Sequence, residues 1–145
     1  MSNELIISLD AMGGDKAPEV IVKGAAISVK QNKNLRIIFF GEKAMIYRSL
    51  DRYPLLKDVS DVYNCEKIVT MEDKPKDALK NAKETSMWQS IEAVKKGDAH
   101  VVLSAGNTGA LMIFSKILLG TLPGIDRPAI ASLWPNVKGQ SVVLD

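Results

Sequence analysis

Ser104-Ala105-Gly106-Asn107-Thr108-Gly109-Ala110 crowds hydroxyls, an amide and glycines into one short run. It follows Val101-Val102-Leu103 and leads into Leu111-Met112-Ile113-Phe114, the order of a strand, a glycine-rich turn and a helix. Glycine lets the backbone turn sharply and come close to a ligand. The first N–H groups of the following helix have no internal partner and sit at the positive end of its dipole. Such a turn binds anions, phosphate above all. The run is neither the P-loop GxxxxGKS/T nor the dinucleotide GxGxxG. A purely structural strand-to-helix turn is the alternative, but Ser, Asn and Thr among the glycines exceed what a turn needs.

Three further segments carry candidate chemistry. Asp10-Ala11-Met12-Gly13-Gly14-Asp15 leaves the end of a first strand, where ligands collect in open α/β sheets. Taken alone it reads first as a tight turn with two solvated aspartates. Lys83-Glu84-Thr85-Ser86-Met87 places a cation and two hydroxyls at a helix start, a donor set for an anion. Taken alone, Ser86 is a cap, forming a capping box with Gln89, and Lys83 a surface charge. In Leu122-Pro123-Gly124-Ile125-Asp126-Arg127-Pro128, Arg127 has the fork to clamp an oxyanion, and is equally a structural loop residue.

The elements that must position these segments alternate. Leu5 to Leu9 and Arg36 to Phe40 read as strands, Val62-Tyr63-Asn64 as a weaker one, and Ile68 to Met71 as an apolar run of undecided type. Pro18 suits a helix first turn, and Val22, Ala25, Ala26 and Val29 form its buried stripe. Helices are expected from Lys43 to Leu50, from Lys76 to about Asn81, from Ser86 to a stop at Gly97, and from Ala110 to Leu119. Met87, Ile91 and Val94 supply the buried side of the Ser86 helix. Ala129 to Trp134 and Gln140 to Leu144 read as a hairpin around a turn at Pro135 to Gly139. Alternating strands and helices predict an α/β domain with a largely parallel sheet and helices on both faces. An apolar strand running up to Asp145 is read as belonging to the N-terminal part, residues 1–145, of a domain that continues.

Composition narrows the function classes. The chain has 145 residues, 19 Lys+Arg against 17 Asp+Glu, and a net charge of +2. That balance is too mild for nucleic acid or an anionic membrane as main partner. One cysteine, Cys65, excludes an internal disulfide, and one histidine, His100, excludes a two-histidine metal motif. Cys65 reads as an inert thiol and His100 as a polar strand-edge residue. No apolar run approaches the ~20 residues of a membrane span, and Met1-Ser2-Asn3-Glu4 lacks the pattern of a signal peptide. A reduced, cytoplasmic setting is expected. Lys76, Lys80 and Lys83 fall at i, i+4, i+7 and would share one helix face, solvated or docked on an acidic partner.

In series, the four segments resemble the bacterial phosphate acyltransferase family of phospholipid synthesis, the PlsX type. The resemblance runs from Leu5 to Asp145. Thr85 stands where the family more often has Ser, and Lys16 where it often has His. Family members run to more than twice this length. The resemblance implies a three-layer fold related to isocitrate and isopropylmalate dehydrogenases and to phosphotransacetylases, here truncated. It implies a homodimeric enzyme that moves a fatty acyl group from acyl carrier protein to inorganic phosphate, without metal or organic cofactor. Full-length members can associate peripherally with membrane. A phosphotransacetylase-like enzyme using coenzyme A, a dehydrogenase of the related fold, and a phosphate-binding fragment without turnover are the other readings.

For that reaction the expected phosphate and substrate contacts are Asp10, Gly13, Gly14, Asp15, Ser86, Ser104, Gly106, Thr108, Gly109 and Arg127. Lys83 is expected to face the phosphate and Asn107 to donate to the carbonyl oxyanion. Phosphate is already anionic near neutral pH and needs positioning more than deprotonation, an effect with ~7–11 kcal/mol available to it.

Overall fold

The computed structural model describes residues 4–145. Met1 to Asn3, part of the N-terminal run considered above, lie outside the described residues. Four parallel strands, β1 (Leu5–Asp10), β2 (Leu35–Gly41), β3 (Ser60–Asn64) and β4 (Val101–Leu103), form a sheet in the order β3-β2-β1-β4. Helices α1 (Glu19–Gln31), α2 (Lys43–Leu50), α3 (Pro54–Asp58), α4 (Pro75–Ala78), α5 (Ser86–Lys96) and α6 (Thr108–Leu119) connect them. A 3-10 segment, Leu79–Glu84, lies between α4 and α5. The chain ends in an antiparallel hairpin, β5 (Ala131–Asn136) and β6 (Gly139–Leu144). The expected α/β architecture is observed.

Period-two alternation assigns the two faces of the sheet. Leu9, Ile37 and Phe39 pack with Val22, Ala25, Ala26, Ile46, Leu50 and Leu56 from α1, α2 and α3. Ile38 and Phe40 point the other way, onto Ala93 of α5, Ala99 and Cys65. Helices therefore cover both faces, as a parallel sheet requires. A third cluster joins α5 to α6: Met87, Trp88 and Ile91 meet Ala110, Phe114 and Leu118, with Trp88 edge-on to Phe114 at 5.3 Å.

Several boundaries differ from the sequence expectations. The N-cap of α5 is Thr85, not Ser86: the Thr85 hydroxyl accepts from the Trp88 N–H at 3.2 Å. Ser86 is the first residue inside the helix, and Gln89 donates to the Lys83 carbonyl instead of closing a capping box. The helix expected from Lys76 to Asn81 lasts only to Ala78 before the 3-10 turn, and Asn81 is non-helical. Lys76, Lys80 and Lys83 consequently do not share a continuous helix face, and Lys80 pairs with Asp77 at 3.0 Å. Ile68 to Met71 joins no strand; Lys67 alone bridges Thr85. The hairpin turn is shorter than expected, because Asn136 and Gly139 pair directly.

Candidate active site

Asp10 is placed by strand geometry. Ile7 and Leu9 of β1 face α1, so Ser8 and Asp10 face α5. Two residues along a strand advance about 6.6 Å and four residues along a helix about 6 Å. Ser86 and Ser90, four apart on α5, therefore stand opposite Asp10 and Ser8. The Ser8 hydroxyl donates to the Ser90 carbonyl at 2.8 Å, and the Ser86 hydroxyl donates to Asp10 Oδ1 at 2.7 Å. A polar seam thus runs through an otherwise apolar layer. Asp10 is 2 % exposed.

The turn after β4 completes the arrangement. Ser104 donates to Asp10 Oδ2 at 2.7 Å and accepts from the Gly106 N–H at 3.1 Å. The Met12 N–H adds a longer bond to Asp10 Oδ1 at 3.3 Å. Three donors hold one buried carboxylate; the two short hydroxyl bonds are of the charge-assisted kind. A Cβ on Gly13 would stand 2.7 Å from the Gly106 nitrogen and 2.8 Å from Asp10 Oδ2, so the two loops meet only because Gly13 has none.

Asn107 has two tasks. Its Oδ1 accepts from the Ala110 N–H at 3.0 Å and caps α6. Its Nδ2 donates to the carbonyls of Asp73, Thr70 and Met71, at 2.9, 3.2 and 3.4 Å. The side chain latches the 70–75 loop onto the start of α6, where Pro75 packs against Gly109. With both amide protons occupied by backbone carbonyls, Asn107 is a positioning residue in this structure rather than a free donor to an oxyanion. The N–H groups of Thr108 and Gly109, at the first two helical positions, have no intrahelical acceptor and remain the donors of this turn.

The structure brings Asp10, Gly13, Ser86, Ser104 and Gly106 together, and lays Gly14 against Ala105. Gly13, Gly14, Asp15 and Lys16 line a cleft of about 330 Å³ with Ala105 and Met71. Thr108 is exposed at the helix start. Lys83 is exposed at the end of the 3-10 segment and makes no side-chain bond among the described residues. Arg127 is not brought to this corner. Its neighbour Asp126 accepts from Lys116 at 3.0 Å, in the last turn of α6, the end away from Asn107. The 70–75 loop is the part that sequence reasoning did not place. Its signal is the turn-forming Asp73-Lys74-Pro75, with Asp73 accepting from the Thr70 N–H at 2.8 Å.

Cys65 and His100 behave as inert groups. Burial, and secondarily the charge of Asp10, pushes the Cys65 thiol up to about 11. His100 extends the ladder beside β1, its Nδ1 accepting from the Ile6 N–H at 3.0 Å. Among the described residues no cluster of His, Cys, Asp and Glu could hold a metal ion, and no helix is long and apolar enough to cross a membrane.

A strand-end carboxylate and two serines meet at one corner, beside the turn that opens α6. The family model described as "Fatty acid synthesis protein" matches residues 5–145, the whole stretch that builds this corner. The chain belongs to that family. It is 52 % identical over 146 residues to a protein named phosphate acyltransferase from Rhodopseudomonas palustris strain BisB18, covering 100 % of this chain and 41 % of that protein. The namesake from strain HaA2 is 55 % identical over 140 residues, covering 96 % and 40 %. The one from Beijerinckia indica is 52 % identical over 140 residues, covering 96 % and 36 %. The chain thus spans about two fifths of the length of these relatives. The corner lies within the two fifths that the chain shares with them.

Proposed function

We propose that the protein moves a fatty acyl group from acyl carrier protein to inorganic phosphate, giving an acyl phosphate for phospholipid synthesis. The observation that carries this reading is the convergence of Ser86 and Ser104 on Asp10, with Ser104 also held by the Gly106 N–H in the turn that leads into α6. The relatives' shared name, phosphate acyltransferase, supports phosphate as the acceptor. In the proposed step an unprotonated phosphate oxygen attacks the thioester carbonyl and the carrier thiolate leaves. The C–O bond forms as the C–S bond breaks, and the proton on hydrogen phosphate ends on the thiol. The Thr108 and Gly109 amides hold the phosphate, Lys83 approaches from the start of α5, and Asn107 keeps the turn rigid. Fixing two reactants in attack geometry is the main contribution asked of these residues.

Acyl carrier protein as donor, a homodimer and a cytoplasmic setting belong to the same proposal, as does a domain that continues beyond residue 145. The test is phosphate-dependent loss of acyl thioester from acyl carrier protein, with the product trapped by hydroxylamine as a hydroxamate. It is run with this chain and with a protein of its relatives' full length. Turnover of acyl-coenzyme A in place of the carrier-bound thioester would overturn the donor assignment and favour a phosphotransacetylase-like enzyme. No phosphate dependence with either donor would overturn the reaction itself.

A further inference from the structure

A serine hydroxyl has one proton, and at this corner both serines have given theirs to Asp10. A carboxylate only accepts, so the bonds of 2.7 Å from Ser86 and from Ser104 fix both hydroxyl hydrogens inward. Ser86 is 1 % exposed and its oxygen lies inside the layer. Ser104 is half-buried, at the mouth of the site. One of its two lone pairs accepts the Gly106 N–H, and the other is left over. The group facing a ligand is therefore an acceptor backed by a buried negative charge. A bare oxyanion oxygen set against it meets repulsion from a carboxylate that is itself buried. An oxygen carrying hydrogen meets the opposite: it donates to Ser104, whose own proton is already held by Asp10, in a charge-assisted chain.

We propose that Asp10, acting through Ser104, determines which oxyanion the site accepts, selecting one that carries an O–H and rejecting one that does not. The inference rests on the phosphate reading above. At neutral pH inorganic phosphate and arsenate keep at least one O–H, whereas sulfate and monofluorophosphate have none. The α6 amides attract all four alike. The corner beneath them tells the anions apart.

The role predicts a gain as well as a loss. In Asp10→Asn the amide oxygen keeps the Oδ1 position, where it accepts from Ser86 and from Met12. The Asn NH₂ then takes the Oδ2 position and donates to Ser104. Both Ser104 lone pairs are filled and its proton turns outward. The site changes from one acceptor to one donor.

The experiment is calorimetric titration of this chain with phosphate, arsenate, sulfate and monofluorophosphate at neutral pH and fixed ionic strength. Phosphate and arsenate are expected to bind alike, with sulfate and monofluorophosphate weaker by at least about tenfold, the effect of one mismatched, desolvated polar contact. Asp10→Asn should tighten sulfate and bring the phosphate-to-sulfate ratio to about one, which loss of a merely structural residue would not do. Ser104→Ala removes the acceptor while leaving Asp10 in place, so it should also collapse the ratio and serves if Asp10→Asn does not fold. Sulfate binding the unaltered chain as tightly as phosphate, or a ratio unmoved in the folded variants, overturns the selectivity and leaves the phosphate site standing. Binding of none of the four anions overturns the phosphate reading together with it.

Discussion

The corner between β1, α5 and the β4–α6 turn and the hairpin of β5 and β6 use their residues in opposite ways. At the corner, polar side chains are buried and each bonds within the chain: Asp10, Ser86, Ser90 and Asn107 all have partners at fixed distances. In the hairpin, large apolar side chains stand in solvent. Leu133, Trp134, Val142 and Leu144 are 65 to 67 % exposed, and the two strands touch chiefly each other. The difference shows where positional precision comes from. A buried carboxylate can be held tightly only when the elements carrying its partners are themselves fixed, and the α5–α6 cluster does that. The hairpin has ladder bonds without such backing, and Arg127, in the loop ahead of it, shares its exposure.

The sharpest way to break this contrast is to cut one large side chain from each region. Phe114 is fully buried against Trp88, and Phe114→Ala should cost about 3–5 kcal/mol in urea unfolding of this chain. Trp134→Ala should change stability by no more than about 0.5 kcal/mol, because its ring is already in water. A large loss from Trp134→Ala would mean that the hairpin is covered in solution, by a second copy or by another segment.

Asn107 gives a finer test, because its two ends do different work. Asn107→Ala loses the cap, about 1 kcal/mol, and the side-chain bonds to the part-buried carbonyls of the 70–75 loop, about 0.5–1.5 kcal/mol more. Asn107→Asp keeps an acceptor for the Ala110 N–H and turns a charged oxygen toward the Thr70, Met71 and Asp73 carbonyls. If the latch is what fixes the turn, the Asp variant should be as unstable as the Ala variant, with faster proteolysis within residues 70–75. A fully stable Asp variant would reduce Asn107 to a cap.

Much of this architecture is legible in the residues themselves. Apolar runs give β1, β2 and β4, and the Val22-Ala25-Ala26 spacing gives α1, because burial on one face imposes a period that a reader can count. The Ser104-to-Ala110 turn and the Asp10-to-Asp15 loop are legible as site segments by their glycines and hydroxyls. What is hidden is who bonds to whom. Ser86 and Thr85 both have a hydroxyl at a helix start, and only the packing of α5 on β1 sends Ser86 to Asp10 and leaves the cap to Thr85. Asn107 looks like a free donor until the 70–75 loop is seen to cover it, and that contact spans more than thirty positions. Lys76, Lys80 and Lys83 have helical spacing, but the chain changes pitch at Leu79. Long-range partners and changes of pitch leave no period in the sequence.

Two glycines extend the contrast to smaller effects. Gly13→Ala would put a methyl against the Gly106 nitrogen and Asp10 Oδ2, forcing the loops apart at about 1–3 kcal/mol and weakening phosphate binding by tenfold or more. At Gly24, inside α1, an added methyl would meet nothing within 4 Å, so Gly24→Ala should stabilise the chain by about 0.5–1 kcal/mol with anion binding unchanged. Equal effects at the two positions would mean that the loops tolerate separation and that their close approach is incidental.

The last effect is silent at neutral pH. Cys65 sits under the sheet among Ile38, Phe40 and Ala93, and its thiol is raised from 9.0 to about 11 by burial first and by Asp10 second. Below about pH 9 the thiol is protonated in both folded and unfolded chains, and stability does not depend on it. Between 9 and 11 the unfolded chain releases this proton while the folded chain keeps it, so stability falls as pH rises, by on the order of 2 kcal/mol in all. Cys65→Ala should remove that part of the alkaline slope, read from urea midpoints across the window, while changing little at pH 7. Asp10→Asn should shift the start of thiolate formation in the folded chain to lower pH, because one of the two causes is gone. An alkaline slope identical in the parent and Cys65→Ala would place the loss on other groups and remove the thiol from the account.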